Sequence, residues 1–431
     1  MRSLLAALVP PQTEPLAGQV PNSAGGWSYP LPDRARLDRF LVLGTEGGSY
    51  YAAERTLTVE NAQVVLRCLA EDGPGTVARV VAISSAGRAP KNDPAIFALA
   101  LALKRGDLAT RRAAAAAVPA VCRTGTHLFA LAQAVDALGG WGRGTKRAFA
   151  SWYLDKSPRD LGFQLVKYPS RGGWSHRDVL RLAKPAGATG ATDALLRYAT
   201  RAVVPEGGFA ALDSSLALLD AAEAARTADV PALIQLIHSA RLPWEVLPTP
   251  RLRSTEVWRA LVEARAVPYT ALLRNLGRLS GNGVLVAGAP AVQLVLDRLR
   301  DPAAIRGARV HPLAVLGALV TYRSGHGARG DGKWTPVPSV VAALETAFYA
   351  SFANAPTTGK RWLLALDVSG SMGMGTLAGY PGLSPRVGSA AMALVTARNE
   401  PACTVVAFTA AAKGTGGRWG GGTPGLTNVP L

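Results

Sequence analysis

The stretch Arg361-Trp-Leu-Leu-Ala-Leu-Asp-Val-Ser-Gly-Ser-Met-Gly373 divides the chain into two kinds of pattern. Before it, apolar residues recur at helical spacing in one segment after another. From Trp362 to Leu366 they run without a break, and the run stops at Asp367, Ser369 and Ser371. A short continuous apolar run ending in a Gly/Ser turn fits a buried parallel strand that feeds a loop at its C-terminal end. In that loop Asp-x-Ser-x-Ser sets one carboxylate and two hydroxyls side by side, hard oxygen donors of the kind Mg²⁺ takes. The same residues would equally serve to cap a following helix. Leu383–Arg398 then reads as a helix and Cys403–Phe408 as a second apolar strand, the start of a βαβ alternation. Residues 410–431 are rich in glycine and carry too little apolar periodicity to supply the remaining strands of a parallel sheet. A complete α/β domain takes roughly 100–200 residues, so residues 359–431 are expected to form only part of one.

Upstream, residues 1–30 are rich in Pro, Gly, Ser and Asn and read as an extended arm. From there to 358 helix dominates. Leu37, Phe40, Leu41 and Leu43 begin an apolar face, and Leu57–Leu69 follows with Thr58 as its cap. Segments of similar length come next: Gly75–Ala86, Pro94–Leu103, Arg111–Cys122, Thr126–Leu138, Arg143–Leu154, Ser157–Lys167, His176–Leu182 and Ala191–Thr200. The pattern resumes at Leu212 and continues to Phe352. Short helices in pairs predict a mainly α chain built as an α-solenoid, each pair burying its face against the next.

The 431 residues carry a formal charge of +18 and a pI near 10.4. Only 18% of them are charged, so the excess belongs to a folded chain with cationic faces, for which nucleic acid is the first partner to consider. Cys68, Cys122 and Cys403 lie far apart in apolar surroundings, which leaves neither a disulfide framework nor a CxxC metal site. The N-terminal apolar run is cut by Pro10 and Pro11 and is too short for a leader. No stretch approaches the roughly 18 consecutive apolar residues of a membrane span. Together these features predict a cytoplasmic protein.

The excess charge is densest between Gly139 and Arg201, where twelve basic residues face four aspartates. Arg143, Lys146, Arg147, Lys167 and Arg171 belong to it. Arg177, Arg181 and Lys184 fall at i, i+4 and i+7, on one helical face, with His176 at the helix start. Trp141, Trp152, Tyr153, Tyr168, Trp174 and His176 are interleaved with these cations. Phosphate-neutralising cations beside flat rings that stack on unpaired bases make a single-stranded RNA surface. Solvated outer-face cations over a core that contains Trp152 and Tyr153 are the plainer alternative. For His176 the choice is between stacking or donating to a phosphate and a satisfied loop histidine. His127 and His311 read as structural. No His-x-x-x-His pair, nucleophile elbow or Walker loop is present, and no active site is evident.

Several motifs in order carry a resemblance: Arg39-Phe-Leu-x-Leu-Gly-x-Glu-Gly-Gly48, Gly87-Arg-Ala-Pro-Lys-Asn-Asp-Pro-Ala-Ile-Phe97, Cys122-Arg-Thr-Gly-Thr-His-Leu-Phe129, Gly140-Trp-Gly-Arg-Gly144, Lys167-Tyr-x-x-Arg-x-Gly-Trp-Ser-His-Arg-Asp178, Leu242-Pro-Trp-Glu245 and Leu272-Leu-Arg-Asn-Leu276. From about residue 27 to 409 the chain resembles the TROVE module of the Ro ribonucleoprotein autoantigen family, in a bacterial form. The resemblance implies a monomeric ring of HEAT-like helical repeats over 31–358, closed by a von Willebrand factor A-like domain with a metal-ion-dependent adhesion site. It also implies a non-catalytic role in RNA quality control. A small noncoding Y RNA would be held on the outer surface, and single-stranded ends of misfolded RNA would thread the basic hole. The Y RNA would tether an exoribonuclease such as polynucleotide phosphorylase. Lys167, Arg171 and His176 match positions expected to contact RNA, with Arg143, Lys146 and Arg147 in the neighbouring basic segment. Asp367, Ser369 and Ser371 match the first metal motif; the family takes further ligands, a Thr and often an Asp, from later loops, and this sequence ends before them. The competing expectation is a metal-dependent adhesion or protein-interaction module that works through the A-type domain.

Overall fold

In the computed structural model, residues 14–21, 26–44, 57, 59, 62–327, 330–377, 379–409 and 425–428 are described. The chain divides into two compact units, Met1–Asp220 and Ala221–Leu431.

The N-terminal unit opens with a two-residue antiparallel ladder, β1 (Val20–Pro21) on β2 (Trp27–Ser28). Its helices are α1 (Asp33–Leu43), α2 (Gln63–Glu71), α3 (Gly73–Ala86), α4 (Asp93–Arg105), α5 (Leu108–Val121), α6 (Gly125–Ala137), α7 (Arg143–Leu154), α8 (Pro158–Lys167), α9 (His176–Ala183) and α10 (Gly190–Arg201). They form two layers: α3, α5, α7 and α9 pack in succession, and α4 lies on α2 and α6 in the other layer. That alternation is the stacked-pair arrangement expected of an α-solenoid. Side-chain caps set the helix starts. Asp72, Asp107, Thr124 and Ser157 accept from first-turn backbone N–H groups of α3, α5, α6 and α8, which satisfies donors the helix itself cannot. Helix α4 is buried nearly all round, from Pro94 to Leu103, while its neighbours bury one stripe, as with Phe149, Trp152 and Tyr153 on α7. A fully buried side chain of this size contributes about 1.5–3 kcal/mol. The buried Trp152 indole also donates to the Cys122 carbonyl at 2.6 Å, tying α7 to the end of α5.

Two details differ from the sequence reading. Leu43 is exposed while Leu37, Phe40 and Leu41 are buried, because it sits in the last turn of α1, one residue before the left-handed Gly44. Helix α2 begins at Gln63, and the cap expected at Thr58 lies outside the described residues.

The boundary between the units falls inside α11 (Ala217–Ala225). The C-terminal unit continues with α12 (Val230–Ala240), α13 (Thr255–Glu263), α14 (Tyr269–Gly281), α15 (Pro290–Arg300), α16 (Pro302–Gly307), α17 (Pro312–Ser324) and α18 (Pro338–Ala350). Helix α12 packs on α13, α13 on α15, α14 on α17, and α18 on both α15 and α17. His311, read as structural, caps α17: its Nδ1 accepts from the Leu313 N–H at 3.2 Å.

The pattern changes where expected. Strand β5 (Arg361–Asp367) runs parallel to β6 (Ala402–Thr409) in register from Arg361↔Ala402 to Asp367↔Phe408, with α19 (Pro385–Asn399) as the crossover. Strand β7 (Gly425–Asn428) adds antiparallel to β6. The buried Glu400 carboxylate accepts from the backbone N–H groups of Thr358 and Gly359 at 2.7 and 3.0 Å, fixing the entry to β5. The expectation of a buried strand is corrected: Trp362 and Leu363 are exposed, Leu363 by 67%. Among the described strands the order is β5-β6-β7, with β5 at one end, and α19 packs against it. A central parallel strand would instead be covered on both faces.

Candidate nucleic-acid interface

The Lys167–Lys184 segment is built from a helix end, a tight hairpin and a second helix. Helix α8 ends at Lys167. The hairpin pairs β3 (Ser170–Arg171) with β4 (Trp174–Ser175), Arg171 opposite Trp174. Its two turn residues, Gly172 and Gly173, have φ of 59° and 82°. Positive φ at both positions is what a two-residue hairpin turn of the right twist demands and what glycine supplies without strain. Helix α9 starts at a reciprocal capping box: Asp178 N–H bonds Ser175 Oγ, and the Asp178 carboxylate accepts from Ser175 N–H at 3.0 Å. It ends at Lys184, whose φ of 48° and ψ of 59° are left-handed, a conformation uncommon outside glycine.

On α9 the residues split cleanly. His176, Val179, Leu180 and Ala183 are buried; Arg177, Arg181 and Lys184 are exposed, as is Arg171 in the hairpin. Among the described residues no carboxylate forms an ion pair with Arg171, Arg177, Arg181 or Lys184. Lys167 is half-buried beside the rings of Phe163 and Tyr168, 5.3 and 5.7 Å from their centroids. Five of the predicted residues therefore come from one continuous segment, held by backbone geometry.

His176 is a correction. It is 4% exposed, with Nδ1 2.9 Å from the Tyr153 hydroxyl and its ring among Phe129, Trp152 and Tyr153 at 4.8, 6.2 and 5.7 Å. Nε2 lacks a partner at hydrogen-bond geometry; the Gln164 and Tyr168 carbonyls on that side still draw the pKa upward. Burial outweighs them and pushes it down to about 4. A neutral, enclosed imidazole neither stacks on a base nor donates to a phosphate. It joins α6, α7 and α9 under the cationic face. The signal was present in the sequence, since 176, 180 and 183 share one helical stripe and 177, 181 and 184 another, about 100° round the helix.

Two of the other interleaved aromatics belong to the core and two more pack on each other. Trp152 and Tyr153 are fully buried. Trp141 packs on Phe149 at 4.5 Å and on Trp174 at 6.0 Å, and Lys156 lies 3.9 Å over Trp152. Trp152 and Tyr153 therefore follow the plainer reading of a core beneath solvated cations, while Trp141, Tyr168 and Trp174 are half-buried.

The structure takes Arg143 and Arg147 elsewhere, to a groove between α5 and α7 with a cavity of about 630 Å³. Lys146, on the same helix, is half-buried and does not line it. Arg111 and Arg112 line the facing wall. Sequence reasoning missed these two, and their adjacency at the start of an alanine-rich helix was the available signal. The glycine loop before α7 is held by Lys104 Nζ, which donates to the Gly139 and Gly140 carbonyls at 3.3 and 2.6 Å.

In the C-terminal unit, Asp367, Ser369 and Ser371 are brought together. Ser369 N–H donates to Asp367 Oδ1 at 2.9 Å, and the two serine hydroxyls are 3.1 Å apart. The Ser369 hydrogen bonds hold the Asp367 carboxyl below the usual carboxylate range. The Arg386 guanidinium donates to the Ser369 carbonyl at 3.0 Å. The three oxygens have the chemistry of half an octahedral Mg²⁺ shell, and among the described residues no cluster of three or more His, Cys, Asp or Glu side chains extends it.

Comparison with known proteins accords with this architecture. Residues 20–217 and 238–320 match the TROVE domain, and residues 361–415 match the Ro60 vWA domain. The RNA-binding protein RO60 of Deinococcus radiodurans is 43% identical over 414 residues, which is 95% of this chain and 77% of that protein. The Caenorhabditis elegans RNA-binding protein RO60 is 32% identical over 474 residues, 93% of this chain and 73% of that one. The crystal structure of the Deinococcus radiodurans RO (RSR) protein superimposes with a TM-score of 0.77 at 41% identity, covering 88% of this chain and 75% of that chain.

Proposed function

From the membership of this chain in the TROVE-domain family of Ro proteins, we propose that it is an RNA-binding scaffold with no reaction of its own. It binds a small noncoding Y-like RNA on Lys167, Arg171, Arg177, Arg181 and Lys184, engages single-stranded ends of misfolded RNA, and serves RNA quality control as a cytoplasmic monomer. An exoribonuclease such as polynucleotide phosphorylase supplies cleavage in that scheme. The observation that carries this reading is the cationic face of the hairpin and α9, on which Arg171, Arg177, Arg181 and Lys184 are exposed while no aromatic ring is more than half-exposed. Guanidinium and ammonium groups without exposed aromatics suit the phosphates of a folded stem, recognised by shape and backbone, better than splayed bases.

The test is binding of a Y-like stem-loop RNA over a salt series to the full chain and to Arg171→Ala/Arg177→Ala/Arg181→Ala. Each lost phosphate contact takes about 0.9 off the slope of log K against log salt for a duplex. An unchanged slope in the triple variant would move the site off this face. A second reading has one observation in its favour, the gathered Asp367, Ser369 and Ser371: these three hold Mg²⁺, and the A-type domain acts as a metal-dependent protein-interaction module.

A further inference from the structure

The groove between α5 and α7 is a different kind of cationic feature from the α9 face. Helix α7 begins at Gly142, which has no side chain to cap it, so first-turn N–H groups keep their hydrogen-bonding capacity and the positive end of the helix dipole is uncompensated. A Cβ at Gly142 or Gly144 would meet nothing within 4 Å; the approach to that helix end is open. Arg143 and Arg147 flank it from α7, and Arg111 and Arg112 line the wall contributed by α5. Four guanidiniums around one concavity repel one another unless an anion joins them, and guanidinium is the side chain best shaped to grip phosphate with paired donors.

Of the remaining lining, Lys104 is cationic, but its Nζ is bonded to the Gly139 and Gly140 carbonyls. Leu108, Ala116 and Pro119 give the cavity an apolar floor, and Asp155, at the C-terminal end of α7, is the one carboxylate among its described lining residues. That polarity orients an anion toward Gly142–Thr145. Pro119 lies inside α5 and has no N–H, so the Ala115 carbonyl lacks its usual i+4 donor and is available to a hydroxyl. The volume of about 630 Å³ falls in the range of small-ligand pockets and suits a nucleotide rather than a bare ion.

We infer that this groove is a terminal-phosphate pocket: it takes the phosphomonoester at an RNA end, with the phosphate on the first turn of α7 between the arginine pairs and the ribose and base over the apolar floor. A monoester carries about −1.5 to −2 charges at pH 7 against one for a backbone diester, which is why four arginines favour the end over the middle of a strand. The inference rests on the RNA-binding reading above, but involves other residues and another feature of the RNA.

The experiment uses the full chain and fluorescence anisotropy with two octauridylates, one 5′-phosphorylated and one 5′-hydroxyl. The phosphorylated strand is expected to bind about tenfold tighter, and inorganic phosphate is expected to compete it off. Gly144→Asp, which sets a carboxylate at a helix start where it suits the fold, is expected to erase the difference, as is Arg111→Gln/Arg147→Gln. Both variants should bind the stem-loop RNA within about twofold of wild type. Equal affinity for the two strands overturns the pocket, and so does a difference that survives both variants. Competition by inorganic phosphate without any preference between the strands overturns its assignment to RNA ends. A wild-type chain that prefers the phosphorylated strand yet ignores the stem-loop supports the pocket while removing the α9 face.

Discussion

His176 offers a sharp test of the inner layer beneath the cationic face. Burial lowers its pKa from an ordinary 6.5 to about 4. The folded chain therefore holds it neutral while the unfolded chain protonates it below 6.5. The stability this contributes is complete above pH 6.5, is lost as pH falls through the interval, and is gone below about 4. From 6.5 to about 4, at about 1.4 kcal/mol per pH unit, the total is about 3.5 kcal/mol. His176→Gln keeps an acceptor for the Tyr153 hydroxyl and removes the titration. Carboxylates that titrate in the same interval cancel between the two proteins, so the measurement is the difference in urea midpoint between wild type and variant at steps from pH 7.5 to 4. The difference should change by at most about 1.4 kcal/mol per pH unit, and the imidazole resonance of His176 should stay neutral in NMR down to pH 5. A flat difference curve refutes the enclosed imidazole. So does a loss of stem-loop binding at pH 7.5 in a His176→Gln variant that melts like wild type, because that would place the ring against RNA.

Two further outcomes follow from the local geometry. Lys184→Gly and Lys184→Ala remove the same cation, but glycine also relieves the left-handed φ of 48°, worth about 1 kcal/mol; the Gly variant should be the more stable of the two in urea while both weaken stem-loop binding alike. In the C-terminal unit, Mg²⁺ added to the wild type should give heat in calorimetry that Asp367→Ala abolishes, and a signal that persists in Asp367→Ala locates the ion elsewhere.

The solenoid was legible because apolar stripes recur at helical spacing in one segment after another, and Ser157 marked the start of α8; the start of α5 was read at Arg111, three residues late, because the Asp107 cap was passed over. The βαβ start was legible from the unbroken run at Trp362. What escaped was what depends on neighbours. Arg111 and Arg112 gain meaning only when α7 is packed beside α5. Trp141 and Trp174 look like platforms for bases until each is seen to use the other. Whether a strand is central or at an edge is set by pairing beyond it, so the apolar run over β5 misled about burial. His176 was misread for another reason: its neighbours in sequence are cations, while its neighbours on the helix stripe are Leu180 and Ala183.

Strand β5 bears on how the protein behaves in a test tube. Among the described strands the seven-residue β5 ends the sheet order, with Leu363 exposed, and a strand so placed offers backbone donors and acceptors with which another chain can pair. If that edge is free in solution, concentrated samples of this chain are expected to self-associate strand to strand, independently of RNA. A light-scattering check across concentration belongs beside any binding curve, and a lysine at position 363 would blunt the edge without touching the cationic face.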